Sequence, residues 1–193
     1  DRSIRLWDIT SGALVHDFGG HLSSSVPLGV DIDPTWKHAL SWGGAMTMRL
    51  WDLQEGVSLR TLFDSTRMKV SGMNVDWPSN RALSWGTEPW LQLWDLDSSM
   101  CRELRGHVGS VLGAEVSWAR DRAVSWGNED LFLWDLRLGA VEHSLRDLPG
   151  IRLCSVDPDW ARALVGSASG TLRLWDWDMD GSVVVVELPA HMT

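Results

Sequence analysis

Five Trp-Asp pairs recur along the chain at a nearly even interval: Trp7-Asp8, Trp51-Asp52, Trp94-Asp95, Trp134-Asp135 and Trp175-Asp176. The steps between the tryptophans are 44, 43, 40 and 41 residues. Self-similarity at such a period marks each repeat as one supersecondary unit, unable to bury its apolar face alone and stacked on its neighbours. The 193 residues must therefore be divided into like units before any single residue is interpreted.

Each unit has the same internal order. A short apolar strand comes first, such as residues 110–116, and a turn follows, ending near Trp36, Trp77, Trp118 or Trp160. A basic-apolar strand is next: His38-Ala39-Leu40-Ser41, Arg81-Ala82-Leu83-Ser84, Arg122-Ala123-Val124-Ser125 and the divergent Arg162-Ala163-Leu164-Val165. A turn containing glycine leads to an alternating strand that ends in Trp-Asp, such as Met48-Arg49-Leu50-Trp51, and a second turn leads to an outer strand such as 57–62. Four runs of 4–7 residues with turn signals between them predict an all-β fold. In Asp135-Leu136-Arg137-Leu138-Gly139 the carboxylate is placed to accept a backbone N–H, and the glycine supplies a positive φ. Gly12 and Gly56 stand in matching places, and Ser98-Ser99 replaces that glycine once. The Asp of each pair is thus a turn residue rather than a catalytic one.

Packing in these units falls to tryptophan: the chain has 14 Trp, 3 Phe and no Tyr. A net charge of −9 denies it the broad basic footprint of a nucleic-acid binder, and no Lys/Arg run suggests an anionic membrane. Cys101 and Cys154 are isolated and are expected to be idle thiols. With no signal peptide, apolar span or glycosylation sequon, an intracellular place is expected, cytoplasmic with the nucleus left open. There is no C-x-x-C, H-E-x-x-H, P-loop, G-x-S-x-G or dinucleotide fingerprint, and none of His16, His21, His38, His107, His143 and His191 pairs with a Cys at ligand spacing. No catalytic residue, metal site or cofactor is therefore expected, and the chain is expected not to be an enzyme.

The period and the repeated Trp-Asp pairs resemble the WD-repeat (WD40) family of β-propellers, over essentially the whole chain. The resemblance implies four complete four-stranded blades near 26–62, 69–105, 110–145 and 151–187, flanked by a partial blade at 1–17 and the start of another at 190–193. It also implies a structural tetrad in each blade: a His before the first strand, a Ser or Thr on the second, an Asp in the next turn, and the Trp of the pair. Carried onto this chain the tetrad is incomplete. His21, Ser41 and Trp51 match in the first full blade, with Ala45 at the Asp place. Ser84 and Trp94 match in the second, with Glu88 at the Asp place. His107, Ser125 and Trp134 match in the third, whose turn is one residue shorter, so that Asn128 or Glu129 would substitute. In the fourth only Trp175 survives.

Trp42, Trp85 and Trp126 follow the strand-two serine at one phase in three successive repeats, and Gly166 breaks the row in the fourth. They are read either as packed indoles between blades or as an aromatic patch for a peptide or protein. Arg67, Lys69 and Ser110 lie in or just after loops on the same face. The C-terminus does not supply the strands missing from the first partial blade. A segment of a longer protein, not closed by this chain alone, is expected, or else self-association through the open blade edge. The resemblance implies a protein-interaction scaffold that binds protein or peptide partners. Two narrower readings stand beside it. Trp134-Asp135-Leu136-Arg137 matches a W-D-x-R adaptor motif, which would make the chain a substrate receptor of a cullin-type ubiquitin ligase with Arg137 as the contact. Alternatively, the repeats are a sensor module of a larger ATPase or kinase.

Overall fold

A computed structural model describes residues 3–19, 27–43, 47–63, 69–148, 150–177 and 183–188. Eighteen strands are found there: β1 (Ile4–Trp7), β2 (Leu14–Phe18), β3 (Pro27–Ile32), β4 (His38–Gly43), β5 (Thr47–Asp52), β6 (Val57–Phe63), β7 (Val70–Asp76), β8 (Arg81–Gly86), β9 (Trp90–Asp95), β10 (Cys101–Arg105), β11 (Gly113–Ser117), β12 (Arg122–Trp126), β13 (Leu131–Asp135), β14 (Ala140–Leu145), β15 (Ile151–Val156), β16 (Arg162–Ser167), β17 (Leu172–Trp177) and β18 (Val183–Leu188). The only helical pieces among the described residues are two 3-10 turns, Trp77–Ser79 and Trp118–Arg120. β1 and β2 form a two-stranded ribbon, and β3–β6, β7–β10, β11–β14 and β15–β18 each form an open four-stranded sheet paired in chain order. This is an all-β, propeller-like fold in which every four-stranded repeat is one antiparallel meander.

Two compact units can be separated: residues 1–84 with 94–100, and residues 85–93 with 101–193. In the first unit Phe18, Ile4 and Leu6 of the ribbon pack with Ala39, Trp51 and Leu53 of the first sheet. A second cluster joins Leu40, Trp42, Met48 and Leu62 to Val70, Met73, Ala82, Trp94 and Leu96. In the second unit Val124, Leu131 and Leu133 pack with Ile151, Cys154, Ala163, Val165, Trp175 and Trp177. Sheets covered on both faces require near-continuous apolar runs, which is why β8 and β12 read Ala-Leu-Ser-Trp and Ala-Val-Ser-Trp.

The turns that follow the Trp-Asp pairs close as their residues dictate. Asp8 accepts N–H bonds from Thr10 and Ser11, Asp52 from Gln54 and Glu55, Asp95 from Asp97 and Ser98, and Asp135 from Leu138. Gly12, Gly56 and Gly139 hold φ near +70°, and Ser99 takes the same left-handed backbone at +63°. These bonds stabilise the carboxylate form. Asp8 is pulled below the ordinary range mainly by the Ser11 hydroxyl, Asp52 by the Glu55 N–H and Asp95 by the Ser98 N–H.

Candidate functional site

Among the described residues the third sheet carries the densest polar arrangement. The segment before β11 brings in His107, β12 supplies Ser125, β13 supplies Trp134, and the turn between β12 and β13 supplies Asp130. Trp134 Nε1 donates to Ser125 Oγ at 2.8 Å, Ser125 Oγ lies 2.7 Å from His107 Nε2, and His107 Nδ1 lies 2.5 Å from Asp130 Oδ1. Val108 N donates to the other Asp130 oxygen at 3.0 Å. With a neutral imidazole protonated on Nδ1 every slot closes: indole to hydroxyl, hydroxyl to Nε2, Nδ1 to carboxylate. The Phe132 ring meets His107 edge-on with centroids 4.6 Å apart and fixes its plane. Burial pushes the Asp130 carboxyl up, but the His107 hydrogen bond, the Val108 N–H and the Arg146 charge together leave it below the ordinary value.

The acceptor in this relay is Asp130, which corrects the expected Asn128 or Glu129. Asp130 stands four residues before Trp134, whereas Ala45 and Glu88 stand six before their tryptophans. Gly127 N bonds Asp130 O at 2.9 Å, and this tight turn carries the carboxylate to the foot of β13. A Cβ at Gly127 would overlap it. The second sheet places Trp90 where the third places Asp130, and Arg105 lies over that indole at 4.4 Å. Trp51 donates to Ser41 at 2.8 Å and Trp94 to Ser84 at 2.9 Å. Trp175 is fully buried beside Val165, and its Nε1 finds no acceptor. His21, Ala45 and Arg67 lie outside the described residues.

Ser125, His107 and Asp130 stand in the order of an activated nucleophile, its base and the orienting carboxylate. Ser125 Oγ is fully buried and already accepts the Trp134 indole, so no acyl group can approach it. The relay fastens two strands, the turn between them and the segment that precedes β11.

Directly above it lies a cleft of about 330 Å³ lined by Val108, Gly109, Asn128, Glu129, Asp130, Arg146 and Asp147. Its walls are held by backbone bonds. Leu148 N donates to Glu129 O and Ile151 N to Asn128 O, both at 2.9 Å. Arg146 reaches Gly106 O at 3.5 Å and lies 5.3 Å over the Phe132 ring. The cleft is therefore preformed, with an apolar lip at Val108, which is 81% exposed, and charges of both signs.

The tryptophans after the strand-two serines pack on a cross-strand partner. Gly29 pairs with Trp42 and Gly113 with Trp126, and a Cβ on either glycine would overlap the indole. Gly72 keeps the same 13-residue spacing to Trp85. The fourth sheet inverts the pair, setting Leu153 against Gly166. Trp42 is 8% exposed and offers a partner little; Trp85 and Trp126 are half-buried. Lys69 is exposed. Ser110, also exposed, donates to Thr87 O at 2.8 Å, and Val111 N to Gly86 O at 2.9 Å. The Arg137 side chain is exposed, while its carbonyl accepts from Arg102, whose guanidinium also reaches Leu136 O and Leu138 O. Arg102, Asp130 and Arg146 were not singled out in the sequence. Cys101 is exposed, and Cys154 is buried with its thiol pushed up to about 12 by burial and the Glu115 charge.

Among the described residues no helix is long and apolar enough to cross a membrane. Compared with known proteins, the chain matches no family model and no curated protein.

Proposed function

We propose that the chain is a WD-repeat module that binds a protein or peptide through the loop face of its third and fourth sheets, without catalysis of its own. The observation that carries this reading is the preformed cleft seated on the His107–Ser125–Trp134–Asp130 relay. A buried relay costs flexibility, and rigid loops above it reduce the ordering cost that a partner must overcome. Glu129, Asp147 and Arg146 give the cleft polar handles, and Val108 gives apolar contact.

The test is capture of partners from the source cells with the chain and with two charge reversals, Glu129→Arg and Arg146→Glu. A partner retained by the chain and lost by both reversals, each with an unchanged unfolding midpoint, supports the reading. Recovery of the same partners by all three sinks it. Adaptor binding through Arg137 is a second reading, favoured by the exposure of that side chain on a turn that Arg102 holds rigid. Arg137→Ala would then abolish co-purification of a cullin adaptor and leave cleft-dependent partners untouched.

A further inference from the structure

The first unit carries two adjoining hollows that share His38, Trp77 and Asn80. One, of about 310 Å³, is floored by Leu50, Leu59 and Leu96 and edged by Arg60 and Asp97. The other, of about 320 Å³, is walled by Pro34, Thr35 and Pro78. Together they form one groove along the turns that follow β3, β7 and β9. Trp77 is fixed in it, because its Nε1 donates to Asp31 Oδ1 at 2.6 Å.

Trp36 follows Thr35, which walls this groove, in a left-handed backbone with φ +58°. That conformation is unfavourable for a bulky L residue and persists where surrounding structure enforces it. Trp160 adopts the same φ in the same Asp-Pro-x-Trp turn. Its ring packs on the core of the last two sheets, and its carbonyl accepts from Trp177 Nε1 at 2.7 Å. Trp36 has the same conformation without that packing, since its side chain is left 62% exposed. The turn that holds it is firm: Asp33 accepts from Thr35, Lys37 and His38 N–H groups.

The charges around the groove are unequal. Asp31, Asp33, Asp76, Asp95 and Asp97 lie on these turns or on the strand ends that lead into them, against Lys37, Arg60 and Arg81. Asp76 is taken by Arg81 at 3.0 Å, and the Arg60 guanidinium is turned to Leu96 O. Asp97 is exposed and accepts from the Asn80 amide at 3.3 Å.

We propose that this groove binds a cationic, apolar segment of a partner protein, with Trp36 as the anchor. An arginine of the segment lies against the Trp36 or Trp77 indole and reaches Asp97, and its apolar neighbours cover Leu59 and Leu50. A second copy of this chain does not supply such a segment, because it has no Lys/Arg run and carries a net charge of −9. The groove shares no residue with the cleft on the third sheet, so either can fail without the other.

The probe is a fluorescein-labelled twelve-residue peptide alternating arginine with leucine. One control replaces arginine by glutamate and another replaces leucine by glycine. Binding is read by anisotropy and by the indole N–H signals of the isotope-labelled chain. The expected result is binding of the arginine–leucine peptide alone, with shifts at the Trp36 and Trp77 indoles. Trp36→Asn and Asp97→Lys should each weaken it at least tenfold. Asn tolerates a left-handed backbone, so the first variant keeps the turn, and its remaining indole signals verify the fold. No binding, equal binding by Trp36→Asn, equal binding of the arginine–glycine peptide, or shifts confined to Trp126 would each overturn the proposal.

Discussion

Serine-to-alanine changes on the second strand of each sheet should produce a graded loss of stability that follows the number of buried partners left behind. Ser125 holds two, Trp134 Nε1 and His107 Nε2, and is fully buried, with Trp134 only 1% exposed. No water can replace the lost oxygen without opening the sheet. An orphaned buried polar group costs about 1–3 kcal/mol, so Ser125→Ala should lose about 2–6 kcal/mol. Ser84 accepts from Trp94 Nε1, and Ser84→Ala should lose about 1–3 kcal/mol by the same reasoning. In the fourth sheet Trp175 Nε1 is already without a partner, and Val165 takes the serine place. Val165→Thr keeps the branched shape and offers an oxygen, for a gain of up to about 1 kcal/mol. Val165→Ala, which deletes the methyls and offers nothing, should lose about 2 kcal/mol. Urea unfolding followed by tryptophan fluorescence measures the order. Indole N–H exchange measures it sheet by sheet, which is needed because repeat arrays depart from two-state behaviour. The Trp134 indole should exchange faster in Ser125→Ala, and the Trp175 indole more slowly in Val165→Thr. Equal losses for Ser125→Ala and Ser84→Ala, or an unchanged Trp175 exchange rate in Val165→Thr, would refute the reasoning.

Three further outcomes are expected. Gly113→Ala forces a Cβ into the Trp126 indole and should cost about 1–3 kcal/mol, whereas Gly113→Leu with Trp126→Gly, which copies the Leu153–Gly166 pair, should recover at least about 1 kcal/mol relative to the sum of the single changes in a double-mutant cycle. Asp8, Asp33, Asp52, Asp95 and Asp130 all have carboxyls held below their ordinary value. Their contribution is therefore complete above about pH 4 and lost as pH falls through the lower folded values; a urea midpoint that already declined from pH 7 to pH 5 in Asp→Asn-sensitive fashion would contradict this. Arg102→Ala should cost about 0.5–1.5 kcal/mol by freeing the carbonyls of Leu136, Arg137 and Leu138, and Arg102→Lys should recover little of it, because an ammonium lacks the planar fork; thermal midpoints compare the two.

What the sequence made legible was local. The meanders follow from alternation, from turn glycines and from the Trp-Asp spacing, each of which acts within about a dozen residues. The Asp8, Asp52 and Asp95 turns could be read for the same reason. Asp130 could not, because its role depends on the path of a shortened turn. Counting six residues back from Trp134 lands on Asn128, and only the Gly127-to-Asp130 bond shows which carboxylate meets His107. The Gly29–Trp42 and Gly113–Trp126 pairs were present as a constant spacing of 13, but a spacing becomes a contact only once the strand register is known. The exposure of Trp36 against the packing of Trp160 was hidden for a different reason. The two turns share Asp-Pro-x-Trp, and one visible difference is the residue two places after the Trp of the pair: Leu53 in one repeat, and in the other Trp177, whose indole bonds the Trp160 carbonyl.

The repeats differ in polar relay yet share a second fastening, and this explains how the relay could decay without loss of the sheets. Three outer strands, β2, β6 and β10, each send one donor into the turn that follows the Trp-Asp pair of the next repeat. His16 Nε2 bonds Gln54 O at 3.0 Å, Arg60 bonds Leu96 O at 3.1 Å, and Arg102 bonds three carbonyls of the turn from Leu136 to Leu138. All three donors stand eight or nine residues beyond their own tryptophan, where the strand leaves the preceding turn. Their acceptors are backbone carbonyls, present whatever the side chains of the turn become. A relay of four side chains loses a link with each replacement, as Val165 shows by leaving Trp175 without an acceptor. A latch onto backbone needs only its donor. The Gly–Trp pairs work likewise, since their size complementarity survives inversion to Leu153–Gly166. Repeats fastened in this way tolerate change in the tetrad, and the third sheet, which keeps the whole relay, is the one that carries the preformed cleft.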